Sequence, residues 1–297
     1  RGRRPVRALM PSVGSRVSLR YRLPEAGPES QAFTDVVGHL EALTPVVVVR
    51  TKSGERVEIS PAAVMSVREL SHAPVRNSEI RAVEHAAALA WPGTERHWAG
   101  GWLLRAGGTD KRTNSAVPLL FSSDLTTLPT IADWYAEHGL QPWVALPERL
   151  LPVRSEGVEP NRVLTMDLSG AADAELPTRP DARWLQIHAQ DVPVEVLTAV
   201  VDGDVAFATV ADAAVGRVAV TTAPGGRVWA GLSDVVVLEP ERRRGLGRAV
   251  CAELVAWAAG RGATHAYVRV PDDNAPAIAL AESMGFRLHH RSRYVLL

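Results

Sequence analysis

From residue 16 to 22 apolar and polar positions alternate, with Val17, Leu19 and Tyr21 on one face and Arg16, Arg20 and Arg22 on the other. A period of two is that of a half-buried strand. The same texture continues to residue 70. An apolar run at 46–50 follows Pro45, Ser53-Gly54 offers a hairpin turn, 56–59 returns, and Ser60-Pro61 precedes a last strand at 64–70. About five short strands in that rhythm predict a small SH3-like β-barrel over residues 1–72. Residues 72–77, with Pro74, read as a linker.

The period then changes. Ile80, Val83, Ala87 and Trp91 recur at helical spacing behind Asn77 or Ser78 as the cap, and Pro92-Gly93 stops the helix. Strands are expected at 102–105 and 112–119, joined across Gly107-Gly108, then a helix at 128–138 closed by Gly139 and a strand at 142–146. After a proline-rich passage with one strand at 162–168, helices are expected at 183–188 and 192–201. Turns at Asp202-Gly203-Asp204 and Pro224-Gly225-Gly226 separate β-branched runs at 205–210, 216–222 and 227–238. Leu246, Val250, Leu254 and Trp257 mark a further helix that Gly260 and Gly262 end. The reading is a mixed α/β chain in three parts: 1–72, 73–180 and 181–297.

Composition narrows the class. The 297 residues carry 33 basic and 33 acidic side chains, so the chain as a whole is no polyelectrolyte binder. Lys52 and Lys111 are the only lysines, which makes arginine abundance a matter of residue usage and not a sign of phosphate specificity. Seven arginines and no acid precede Glu25, a candidate nucleic-acid arm for the barrel or a frayed start to its first strand. No apolar run reaches the length of a membrane span, no leader-like segment opens the chain, and Cys251 is the single cysteine. A cytoplasmic protein without a disulfide is expected. No metal-type Cys/His spacing occurs, and Arg-Gly-Leu-Gly lacks the spacing of a P-loop.

The strongest local signal is Val235-Val236-Val237-Leu238, then Glu239-Pro240-Glu241, then Arg242-Arg243-Arg244-Gly245-Leu246-Gly247 at the start of a helix. The first turn of a helix has unpaired N–H groups and a partial positive charge, and glycines let an anion approach the backbone. Such a turn suits a pyrophosphate. Its R-x-x-G-x-G spacing resembles the coenzyme A signature of the GCN5-related N-acetyltransferases. Asn274-Ala275-Pro276-Ala277 through Met284-Gly285-Phe286 is similar to that family's N-x-x-A…G-F helix and its exit. The resemblance covers roughly residues 183–297. Gly101 to Arg105 with Thr113 to Leu119 looks like the first half of tandem members, which makes 73–180 a degenerate repeat without the coenzyme loop.

The resemblance implies an acetyl-CoA-dependent N-acetyltransferase that works on an amine acceptor by direct transfer. It implies that the backbone of Val235, Val236, Val237 and Leu238 pairs with the pantetheine arm in a gap between two splayed strands. Arg242, Arg243, Arg244, Gly245, Leu246, Gly247 and Arg248 would hold the pyrophosphate, with Asn274 and Ala277 nearby. Asn274 also reads as a helix cap. A lysine-like amine is only about 0.1% neutral near pH 7.4, so freeing its proton costs roughly 4 kcal/mol. Asp234 is the candidate base; Glu239, Ser233 or a water chain are the alternatives. Many members carry their general acid, a tyrosine, where this chain has Ala281, leaving Tyr294, Tyr267 or Ser283 to substitute. That gap keeps a second expectation open, a non-catalytic acyl-CoA sensor or an RNA-associated module using the barrel. Cys251, His265, His289 and His290 read as structural.

Overall fold

The computed structural model describes residues 11–23, 33–153, 155–170 and 174–297. The chain divides into two compact units, Arg1–Pro74 and Val75–Leu297. Most of the arginine-rich start lies outside the described residues.

In the first unit the strands are β1 (Arg16–Arg22), β2 (Phe33–Ala42), β3 (Val47–Thr51), β4 (Arg56–Ile59) and β5 (Val64–Glu69), in the antiparallel order β4-β3-β2-β1-β5. Alternation does what the pattern implies: Val17, Leu19, Val36, Leu40, Val49 and Ile59 form the interior. β2 carries its own period of two and supplies the long central partner of β1 and β3. Arginines here are engaged: Arg20 faces Asp35, Arg50 and Arg56 share Glu41, and Arg22 lies over Phe33.

The second unit opens with α1 (Asn77–Ala90). Its cap is Arg76, whose N–H donates to the Glu79 carboxylate at 2.6 Å, and not Asn77 or Ser78. Then come β6 (Glu95–Ala99), β7 (Trp102–Ala106), β8 (Val117–Pro118), α2 (Leu128–Glu137), β9 (Trp143–Pro147) and β10 (Val158–Asp167). The hairpin in this stretch joins β6 to β7, and residues 112–116 are turn and loop, so the expected 112–119 strand shrinks to β8. There follow α3 (Ala182–His188), α4 (Val194–Thr198), β11 (Gly203–Val210), β12 (Ala214–Thr222), β13 (Val228–Val237), α5 (Leu246–Gly260), β14 (His265–Pro271), α6 (Ala275–Ser283) and β15 (Arg287–Leu296).

Seven strands form one sheet in the order β11-β12-β13-β14-β10-β15-β9, antiparallel except for β13 and β14. β10, from the stretch expected as the first half, lies between β14 and β15, while β15, the last strand, pairs with β9. The two halves thus exchange their final strands. An echo of the parallel β13–β14 pair joins Ala116 to Val144 on β9. Where the second half has its arginine-glycine turn before α5, the first has residues 119–127, without glycine or a basic residue.

α5 and α6 cover one face of the sheet through Val250, Leu254, Trp257 and Ile278. α1, α3 and α4 cover the other, with Val83, Trp184 and Leu197 buried. Each such side chain contributes about 1.5–3 kcal/mol by leaving water. Arg217 on β12 is fully buried and donates to Leu197 O, Ala90 O and Ala199 O, so it satisfies carbonyls at the C-terminal ends of α1 and α4.

Candidate active site at the opening between two parallel strands

β13 and β14 run in register from Trp229↔His265 to Leu232↔Val268, and there the pairing stops although β13 continues to Val237. The cause is a bulge. Ser233 pairs with Arg217 and Val236 with Val215, which leaves one extra residue on β13, and Asp234 takes φ +54° to absorb it. Aspartate tolerates that left-handed geometry better than most residues. Gly216 faces the bulge, where an added Cβ would lie 2.7 Å from Val250 Cγ1 and 2.8 Å from Leu254 Cδ1, so a larger residue would force those α5 side chains to shift. Leu238 N–H donates to Ala213 at 2.9 Å, on the β12 side. By strand alternation Val237 presents its backbone to the opposite side, where its carbonyl accepts from Arg242 Nε at 3.3 Å. Val235 and Val237 pack toward α5, Val236 and Leu238 toward α3 and α4.

Past a short 3-10 turn (Glu239–Glu241), Arg243 (φ +64°) and Gly245 (φ +84°) bend the chain into α5. Among the described residues, none of the six consecutive N–H groups from Arg243 to Arg248 finds an acceptor within the chain. A run of unpaired N–H groups at a helix N-terminus is an anion cradle. The arginine side chains divide their tasks. Arg242 holds Val237, Arg244 pairs with Glu241, Arg248 reaches Ser283 on α6, and exposed Arg243 has no partner among the described residues. Leu246 and Gly247 lie half-buried in the first turn, with Gly247 against Leu280 and Val237. Asn274 caps α6 by accepting from Ala277 N–H at 3.2 Å, which takes up that Ala277 donor, and its amide nitrogen has no partner among the described residues. Ala281, at the usual tyrosine position, is buried in the core against α5.

A cavity of about 140 Å³ adjoins the strand opening, bordered by Gly231 to Asp234, and it brings Asp234 and Tyr294 together. Tyr267 joins them, its hydroxyl lying where a Cβ on Gly231 would come within 2.2 Å. Burial pushes both phenols above the ordinary tyrosine value, so both keep their protons at neutral pH. Asp234 is 4% exposed. Burial alone would raise its pKa. The Arg112 guanidinium at 3.4 Å and His188 at 3.4 Å outweigh that and hold the carboxyl well below the usual range. Asp234, the candidate base, is thus a buried carboxylate clamped by Arg112 and His188. Ser233 stands beside it, while Glu239 lies in the 3-10 turn.

The other polar walls escaped the sequence reading. Glu84 on α1 takes both oxygens to Arg269 Nη2 at 2.8 Å and meets His290 Nε2 at 2.8 Å. Burial opposes its ionisation, but Arg269 and His290 bring its pKa down to about 2. Trp91 is sandwiched between the guanidinium groups of Arg112 (3.7 Å) and Arg217 (3.9 Å). Cys251 is buried on α5, and burial pushes its thiol up to about 11, which keeps it protonated at neutral pH.

Comparison with known proteins now bears on this geometry. Residues 77–295 match the family model described as "Probable histone acetyltransferase Rv0428c C-terminal", and residues 11–68 match "Rv0428c N-terminal Sm-like domain". The Mycobacterium tuberculosis protein named "Probable histone acetyltransferase Rv0428c" is 47% identical over 292 residues, covering 96% of this chain and 95% of that protein. The chain belongs to the Rv0428c acetyltransferase family. Its small N-terminal β domain is the part that matches the Sm-like model, and the larger unit is the part that matches the acetyltransferase model. Among solved structures, a GCN5-related N-acetyltransferase from Kribbella flavida aligns at 17% identity over 75% of this chain and 95% of its own, with a TM-score of 0.49. A tandem GNAT protein from the clavulanic acid biosynthesis pathway aligns at 14% identity over 61% and 74%, with a TM-score of 0.36.

Proposed function

We propose that this Rv0428c-family acetyltransferase moves an acetyl group from acetyl-CoA directly to a primary amine. One observation carries the reading. The strand pair opens at Leu232 and Val268, and the same strand leads within a few residues to six unpaired N–H groups. Acetyl-CoA supplies a thioester whose acetyl carbon accepts the amine and whose sulfur leaves with the bonding pair.

The residues divide the work. Arg243 to Arg248 offer backbone donors to the pyrophosphate. Val235 and Val237 offer exposed backbone polar groups along the arm. Asn274 keeps its amide nitrogen available beside them. An N–H at the bulge polarises the thioester carbonyl. Tyr294 donates the proton that the departing sulfur needs, in place of the tyrosine that Ala281 displaces, and Tyr267 stands beside the same cavity. Asp234 fixes Arg112 and does not store the amine's proton, which passes to water.

Buried Cys251 argues for one step through a ternary complex. The test is initial-rate kinetics with both substrates varied, alongside the intact mass of enzyme incubated with acetyl-CoA alone. Intersecting lines and an unmodified mass are expected. Parallel lines with an acetylated enzyme would overturn the direct route. Burial of Ala281 favours one second reading, a non-catalytic acyl-CoA sensor. Binding without turnover across amines would select it.

A further inference from the structure

We propose that the acceptor is a small amine bearing a carboxylate, and that Arg105 receives that carboxylate. The inference rests on the acetyl-transfer reading and deepens it. Five charged side chains border the cavity: Glu84, Asp234, Arg105, Arg112 and Arg269. Four of them are engaged in ion pairs, Arg269 with Glu84 at 2.8 Å and Arg112 with Asp234 at 3.4 Å, and Arg112 also meets Asp110 outside the cavity at 3.2 Å. Arg105, 5% exposed, has no carboxylate partner among the described residues. Its guanidinium donates to Ser115 O (3.2 Å), Trp91 O (3.1 Å) and Ser115 Oγ (3.1 Å), three neutral acceptors for a group with five N–H donors.

A buried cation without a counter-ion is costly, and a guanidinium does not escape by deprotonating. Arg217 adds a second such charge behind Trp91, again bonded only to carbonyls. The remaining polar groups on the wall are donors as well. Among the described residues neither the Tyr267 nor the Tyr294 hydroxyl has a hydrogen-bond partner. The cavity therefore holds a surplus cation and two unengaged phenols, while both of its carboxylates are taken. A ligand that brings only an ammonium finds both lining carboxylates already engaged and leaves Arg105 without an anion. One that brings a carboxylate as well neutralises Arg105 and leaves its amine for the strand opening at Ser233 and Asp234.

The experiment uses the full chain with saturating acetyl-CoA and matched acceptors: α-amino acids against their carboxamides, with a polyamine and a C-terminally amidated lysine peptide free of acidic residues as carboxylate-free amines. Thiol release gives kcat and KM for each. The amino acids should win in kcat/KM by about ten- to a hundredfold, the size of a charge-assisted hydrogen-bond pair, and mainly through KM. Arg105→Met should erase the preference while calorimetry shows unchanged acetyl-CoA affinity. Should that variant not fold, the wild-type ratio alone decides, and Arg105→Lys, with the charge but not the fork, should give an intermediate ratio. Equal or faster turnover of the carboxamides, the polyamine or the peptide overturns the inference and leaves acetyl transfer standing. No turnover of any amine, with acetyl-CoA still bound, removes both.

Discussion

Replacing Gly245 by aspartate and, separately, by alanine tests the coenzyme cradle. Gly245 has φ +84°, where a side chain costs about 1–2 kcal/mol, and an added Cβ would meet nothing within 4 Å. Strain is thus the only steric effect, borne in full by alanine and somewhat less by aspartate. For a unit the size of residues 75–297, that strain lowers Tm by roughly 2–8 °C. The charge separates them. A carboxylate about 5 Å from a phosphate charge repels it by about 1–3 kcal/mol at effective dielectrics between protein and water. It also competes as a helix cap for the N–H groups that the ligand needs. Two phosphate charges then weaken coenzyme A binding by at least about thirtyfold in Gly245→Asp. Gly245→Ala should stay within a few-fold of wild type. The assay is calorimetric titration of coenzyme A into all three proteins, with thermal melts for the strain. Equal affinities for the aspartate variant and wild type, or equal losses in both variants, would refute the cradle.

Three other outcomes follow from named contacts. Tyr294→Phe should lower kcat by about a hundredfold with little change in acetyl-CoA KM, whereas Tyr267→Phe should have the smaller effect; the reverse order would move the acid to Tyr267. Glu84 has a folded pKa of about 2 against an ordinary 4.5, so its contribution is fully present above about pH 5 and is lost as pH falls toward 2. That contribution is on the order of 3 kcal/mol. Urea midpoints of wild type should hold on this account between pH 7 and 5 and fall steeply between pH 5 and 3, and fall more gently for Glu84→Gln, which starts lower because Arg269 and His290 lose their anion. Gly216→Ala should cost about 1–3 kcal/mol in urea by overpacking Val250 and Leu254.

Periodicity was enough to read elements such as β1, α1 and α5, which each present one regular face. It failed where tertiary pairing decides. Nothing in residues 95–99 has strand alternation, and β6 exists because β7 pairs with it. The Asp234 bulge is invisible locally, because a run of apolar residues reads the same with or without an extra residue. The arginine-glycine turn was legible because its chemistry is carried by the backbone. The cavity was not, for its walls come from α1, β7, β9 and β15, far apart in sequence. Two signals did exist. Glu84 falls on the same helical stripe as Ile80, Ala87 and Trp91, and Arg105 and Arg217 interrupt apolar strands, all places where a charge must have a buried purpose.

Titration of acetyl-CoA into the wild-type chain, with thiol release followed on adding an amine, tests acetyl transfer at the strand opening most directly. Saturable binding followed by amine-dependent thiol release is the predicted result. Saturable binding with no thiol released by any amine would contradict it, and absence of binding would contradict the site itself.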